Sequence, residues 1–178
     1  IPLVHGGGNY HLDANDNGHA TRLINNENPG LTESQIKAHW QTYQNLDTTL
    51  YTPFPTSVDS TQHIDMWMQI IGDNQVVISD WPAQPGTTQD VICDNAASAF
   101  LTAGWTVHRT PARTVSGTHY TYTNVVICND LVLVPTYTNT TISGAGYNTQ
   151  ALATWQAAMP GKTVVGVNCQ SIVTLAGV

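Results

Sequence analysis

Apolar positions in this chain fall into short runs, and the same order of runs recurs three times. The first round opens with an apolar segment over residues 1–5, turns at Gly6-Gly7-Gly8-Asn9 and returns as a strand over 20–24. Thr32 then stands as an N-cap before Glu33. Ile36, Trp40 and Tyr43 follow at helical spacing, which predicts a helix with one apolar face. Residues 48–52 are β-branched and aromatic and stop at Pro53 and Pro55, as a strand does.

The second round predicts a strand over 64–71, a turn at Gly72-Asp73-Asn74 and a hairpin partner over 75–79. A helix capped by Thr87 or Thr88 runs to 101, with Val91, Ala97 and Phe100 among its apolar positions. Ala103-Gly104 ends it, and a strand over 105–108 closes the round. In the third round, 121–128 pairs with 131–134 across Asn129-Asp130. A helix from Asn148 or Thr149 reaches 158, Pro160-Gly161 ends it, and a strand covers 163–167. A further strand-like stretch lies at 172–175.

A period of about 55–60 residues with a fixed element order is an internal structural repeat. The modules are approximately 1–57, 58–112 and 113–178, all within one domain. Each has too little apolar surface to stand alone, so the modules pack on one another. The strand–strand–helix–strand order argues for mixed α/β modules and against a doubly wound sheet.

Composition narrows the setting. Only 10% of the 178 residues are charged, against roughly 25% in an average soluble domain, and Thr, Asn and Gln take their place. The net charge of −7 reflects scarce cations; five Lys and Arg cannot form the basic stripe a nucleic acid requires. No apolar stretch is long enough to span a bilayer. The uncharged polar composition, with the sequon Asn139-Thr140-Thr141, predicts a secreted protein glycosylated at Asn139. The three cysteines, Cys93, Cys128 and Cys169, fit no zinc spacing. Cys128 and Cys169 lie in apolar runs and read as small buried hydrophobes.

Candidate chemistry concentrates in three places. In Gln62-His63-Ile64-Asp65-Met66-Trp67, a strand would set His63 and Asp65 on one face and Ile64 and Met66 on the other. An imidazole beside a carboxylate is suited to proton transfer near neutral pH. In Gly7-Gly8-Asn9-Tyr10-His11-Leu12-Asp13, glycines permit close approach to a ligand and Asp13 follows the turn. Asn124, after Tyr120-Thr121-Tyr122-Thr123, begins a strand at a place comparable to His63. Residues 13–18 match half of a calcium-binding EF-hand loop, but its twelfth position is Ile24 and a strand is expected there, which excludes that reading. No cofactor or metal is implied.

These motifs resemble the pentein superfamily of guanidine-modifying enzymes, nearest the Porphyromonas-type peptidylarginine deiminases and the agmatine deiminases. The resemblance covers nearly the whole chain. It rests on Gly7-Gly8-Asn9-Tyr10 with Asp13, on His63-x-Asp65 followed by Trp67, and on Tyr122-Thr123-Asn124 leading into Leu131-Val132-Leu133-Val134-Pro135. Ala158-Met159-Pro160-Gly161-Lys162 with Val164-Val165-Gly166-Val167 completes it.

The resemblance implies an α/β propeller of ββαβ modules, about three of its five blades being present. It implies that Asp13 and Asp65 hold a guanidinium and that His63 protonates departing ammonia and then activates water. Asn124 would line the same pocket. The substrate would be a guanidine-containing small molecule or peptidyl-arginine, converted to a ureido product. The family's nucleophile is a cysteine in a Gly-rich His-Cys motif, which would begin about where Val178 stands; Cys93 and Cys128 do not match it, and Cys169 lies one strand too early. The alternative is a catalytically inactive extracellular structural subunit that oligomerises or polymerises through open blade edges.

Overall fold

Three three-stranded sheets follow one another in the computed structural model, which describes residues 2–175. In the first, β1 (His11–Leu12) runs antiparallel to β2 (Asn17–Thr21). The chain crosses over through α1 (Leu23–Glu27) and α2 (Glu33–Gln44) and returns as β3 (Asp47–Tyr51), parallel to β2. The second repeats this with β4 (Met68–Gly72), β5 (Gln75–Asp80), α3 (Thr88–Thr102) and β6 (Thr106–Pro111). A hairpin of β7 (Arg113–Val115) and β8 (Thr118–Tyr120) leads to the third. That sheet has β9 (Val126–Cys128), β10 (Leu131–Thr136) and β11 (Thr163–Asn168), with α4 (Thr140–Ser143) and α5 (Tyr147–Ala158) in the crossover.

Local chemistry explains the element ends. Thr32 and Gln35 form a capping box: the Gln35 amide donates to Thr32 Oγ1 at 3.3 Å and the Thr32 amide donates to Gln35 Oε1 at 2.8 Å. Asn45 ends α2 in the left-handed region, where its short polar side chain is tolerated. Asn74 and Asn129 take the same conformation in the β4–β5 and β9–β10 turns.

Each sheet buries one face beneath its own helix. Ala20 and Leu50 pack on Ile36 and Trp40; Ile70, Val76 and Ile78 on Cys93 and Ala97; Val132 and Val134 on Ala151 and Trp155. The opposite face of the first sheet meets the second unit, where Phe100 of α3 lies 5.7 Å from His19 and 6.2 Å from Tyr51 between ring centroids. The opposite face of the second sheet meets the third unit: Val77 joins the core of Tyr122 and Trp155, and Thr154 of α5 donates to the Arg109 carbonyl at 3.1 Å.

Several expected elements take another form. Residues 2–5 form no strand, and Ile1 lies outside the described residues. The strand placed at 20–24 is β2, ending at Thr21, after which α1 begins. The alternation over 64–71 is split, a 3-10 turn at Ile64–Met66 preceding β4. Residues 121–125 are irregular, so only Val126–Cys128 pairs with β10. Residues 172–175 are turns, with the Leu175 amide donating to the Ile172 carbonyl. Tyr43 is 61% exposed, not part of the buried stripe of α2. All three cysteines are free, and Cys128 is exposed. Among the described residues no helix is long and apolar enough to cross a membrane.

Candidate functional site

The 3-10 turn carrying His63 and Asp65 sits where the three units meet. Its backbone is held from both sides by side chains of the other two. The Ile64 amide donates to Asn9 Oδ1 at 3.2 Å, and Thr21 Oγ1 donates to the Gln62 carbonyl at 2.8 Å. From the third unit, Thr123 Oγ1 donates to the Asp65 carbonyl at 2.9 Å and Thr121 Oγ1 to the Met66 carbonyl at 2.8 Å. These bonds account for the turn in place of a strand, because the groups a strand would pair laterally are taken by Asn9, Thr121 and Thr123. Asn9 is almost fully buried and also receives the Thr21 amide at 3.0 Å and hydroxyl at 2.9 Å.

The glycine run lies directly against this turn. A Cβ placed on Gly8 would overlap Asp65 Oδ2 and come within 2.9 Å of His63 Nδ1. One placed on Gly6 would sit 2.8 Å from His63 Cε1 and Nε2. Only glycine allows that approach; Gly7, between them, faces open space. Between the glycines and the turn is an open pocket of about 280 Å³, lined by Gly7, Gly8, His11, Asp65, Gln69 and Asn124 among others.

The groups at this pocket are electrostatically distinct. Asp65 Oδ1 is buried and has no hydrogen-bond partner. Burial first, and the Asp59 carboxylate second, push its pKa up to about 7. His11 is held down to about 4 by burial and by His19, so it is neutral at neutral pH. Asn124 is half-buried, with Nδ2 3.6 Å from Met66 Sδ. The pocket therefore presents a carboxylate with one unpartnered oxygen and neutral polar neighbours, an arrangement suited to a cation with several N–H donors; His63 is not among its lining residues, its ring lying against Gly6 and Gly8.

Asp13 is placed differently. Its Oδ1 accepts from the Asn15 amide at 2.8 Å and the Asn17 amide at 3.0 Å; its Oδ2 accepts from Asn17 Nδ2 at 2.9 Å and lies 3.5 Å from His19 Nε2. Burial would raise its pKa, but the Asn17 side chain and the Asn17 and Asn15 amides outweigh this and hold it below the ordinary carboxylate range. Asp13 thus closes the β1–β2 turn and does not line the pocket with Asp65. Asn139 caps α4, accepting from the Thr141 amide, while its Nδ2 donates to the Tyr120 hydroxyl at 3.1 Å.

His11 and Gln69 line the pocket as well, and neither stands out in the sequence. His11 was legible only as the alternate position to Leu12 on a short strand, and Gln69 carries no motif. None of the cysteines lines this pocket among the described residues. Cys93 is buried in the second core, where burial pushes its thiol up to about 12. Elsewhere, Asp80, Asp90 and Asp94 cluster, with Arg109 bridging Asp80 at 3.1 Å and Asp94 at 2.9 Å.

Known proteins share this architecture. Agmatine deiminase from C. jejuni, solved as a C315S variant with substrate bound, superimposes with a TM-score of 0.79 at 17% identity, covering 99% of this chain and 54% of that one. The putative arginine deiminase from Porphyromonas gingivalis gives 0.79 at 21% identity, covering 98% and 54%. The agmatine deiminase of Enterococcus faecalis gives 0.79 at 20%, covering 99% and 55%. The chain thus spans about half the length of these proteins. The family model of Porphyromonas-type peptidyl-arginine deiminases matches residues 1–178, and the chain belongs to that family of guanidine-modifying enzymes.

Proposed function

We propose that this chain supplies the guanidinium-holding and proton-handling part of a deiminase site. The observation that carries the reading is the convergence of Gly8, the His63–Asp65 turn and Asn124, one from each unit, on one pocket around an unsatisfied carboxylate. Asp65 would accept the forked N–H groups of the substrate. His63 would carry the proton to departing ammonia and then take one from water. Asn124 would fix the orientation of the planar group.

In the reaction the carbon–nitrogen bond to one terminal nitrogen breaks, ammonia leaves, and water supplies the oxygen of the ureido product. The covalent step needs a thiolate at the guanidinium carbon, and the described part of this chain brings none to the pocket. The nucleophile, and the further modules of a propeller, are therefore assigned to polypeptide other than residues 2–175. The low-charge, Thr-rich composition and the Asn139 sequon support an extracellular setting.

Titration of the chain with agmatine and with arginine amide tests this reading. Saturable binding is expected, weakened at least ~100-fold in Asp65→Asn, the equivalent of about 3 kcal/mol. Absence of binding, or an Asp65→Asn variant that binds as tightly, rejects it. The second reading, a non-catalytic extracellular subunit, is favoured by the lack of a thiol at the pocket. It predicts no ammonia release from any guanidine even when the remaining family modules are supplied.

A further inference from the structure

The pocket that carries Asp65 also holds a group that a guanidinium does not need. His11 opens β1, and its ring forms part of the pocket wall. The Ile70 amide of β4 donates to His11 Nδ1 at 3.5 Å, a long bond that joins the first unit to the second at this wall. A backbone N–H donates and never accepts, so Nδ1 keeps its lone pair and the ring proton sits on Nε2.

Burial first, and then His19 opposite it in the β1–β2 ladder, hold the ring's pKa down to about 4. At neutral pH His11 is therefore an uncharged N–H donor. An imidazolium at the same wall would repel a cationic ligand, and the neutral ring does not.

The other polar groups at the pocket are acceptors. Asp65 Oδ1 is unpartnered. Gln69 donates through Nε2 to the Ile70 carbonyl at 3.1 Å, which leaves its Oε1 to accept. Asn124 turns Nδ2 toward Met66 Sδ at 3.6 Å, which leaves an amide oxygen as well. A guanidinium carries only N–H donors, so these three residues suit it and His11 finds no lone pair on it. A ureido group differs by one atom: an oxygen stands in place of a terminal nitrogen. The pocket then offers acceptors for the remaining N–H groups and one donor for that oxygen.

We infer that His11 is a binding residue for the oxygen end of a ureido compound, donating from Nε2 to the oxygen that replaces a terminal nitrogen of the guanidinium. The inference rests on the guanidinium reading of this pocket and deepens it. Asp65 recognises the N–H groups that the two ligands share, and its charge favours the guanidinium. His11 recognises the atom by which they differ.

Arginine amide and citrulline amide differ by that atom alone, and calorimetric titration of the chain with each tests the assignment. Both should bind the parent. His11→Phe keeps a ring of similar size and removes the donor. It should weaken citrulline amide at least ~10-fold and leave arginine amide within about threefold, and His11→Gln, which restores an N–H donor, should recover part of the loss. In ¹⁵N spectra of the parent, the His11 ring should carry its proton on Nε2, and that resonance should move with citrulline amide and not with arginine amide. A parent that does not bind citrulline amide overturns the inference, as does a His11→Phe variant that binds it as tightly or that weakens both ligands equally. A ring protonated on Nδ1 overturns it too. In each of these cases the guanidinium reading stands if arginine amide still binds and Asp65→Asn still weakens it. If arginine amide does not bind the parent, that reading fails and the inference falls with it.

Discussion

Asp13 and Asp65 look alike in the sequence, each two residues after a histidine, but their surroundings differ. The β1–β2 turn gives Asp13 three hydrogen bonds from Asn15 and Asn17, with His19 at its second oxygen. The 3-10 turn at Ile64–Met66 leaves Asp65 Oδ1 buried and unpartnered, in a residue that lines an open pocket. One carboxylate is held below its ordinary pKa and the other is raised to about 7. The contrast separates two uses of the same group: a carboxylate whose lone pairs are filled by its own turn closes a hairpin, and one left unfilled is available to a ligand.

The largest expected effect comes from removing the charge of Asp65. Its carboxyl titrates near 7 when folded and near ~3.9 when unfolded, so the folded state binds that proton more tightly. Its contribution to stability is full below the unfolded value and is lost as the pH rises toward 7. Above pH 7 the ionised group should cost about 2–4 kcal/mol. Asp65→Asn should therefore be more stable than the parent at pH 8 by that amount and nearly equal to it at pH 4. Urea denaturation of both proteins at the two pH values measures the difference; parallel pH profiles would erase the contrast.

Asp13 should behave with the opposite sign. Its pKa is depressed, so its contribution is present above the unfolded value and fades as the pH falls through the folded one. Asp13→Ala should cost about 1 kcal/mol at pH 7 by removing the acceptor of the Asn15 and Asn17 donors, which water then partly replaces, and less under acid. Guanidine binding should stay within about threefold of the parent, since Asp13 does not line the pocket. A loss of binding as deep as that of Asp65→Asn would restore Asp13 to the site. Smaller still is the pH dependence of binding itself. A cation needs Asp65 ionised, so affinity should fall about tenfold per pH unit below 7, about 1.4 kcal/mol, and level off above it. Calorimetric titration between pH 5.5 and 8.5 should find that slope in the parent and not in Asp65→Asn.

The sequence shows the two carboxylates but not their partners. The Thr32 cap and the spacing of Ile36 and Trp40 make α2 legible, because a helix start depends on residues three or four apart. Strands β5, β10 and β11 are legible for the same local reason. The turn at Ile64–Met66 is not, since it is imposed by Asn9, Thr121 and Thr123, up to 58 residues away, against an alternation that locally favours a strand. The role of Asp13 is missed at shorter range: Asn15 and Asn17 are visible beside it, but only the hairpin geometry shows that both donate to it. Tyr43 fits the helical spacing and is exposed because spacing identifies a stripe without saying whether anything covers it.

The smallest effect tests how closely the glycine run is fitted to Asp65. Gly7 has open space where a Cβ would go and, as the first residue of a 3-10 turn, needs no left-handed conformation. Gly7→Ala should change stability by less than about 0.5 kcal/mol and leave affinity unaltered. Gly8→Ala differs by one position and carries the same added methyl. There the methyl meets Asp65 Oδ2 and His63 Nδ1, so either the carboxylate or the Gly6-Gly7-Gly8 segment must move. Binding should then fall nearly as far as in Asp65→Asn, while the pH dependence of stability shrinks if the displaced carboxylate gains water. Equal behaviour of the two alanine variants, in titration and in urea, would mean that the glycines serve the turn and not the pocket. The approach of the first unit to Asp65 would then have no part in making that carboxylate unlike Asp13.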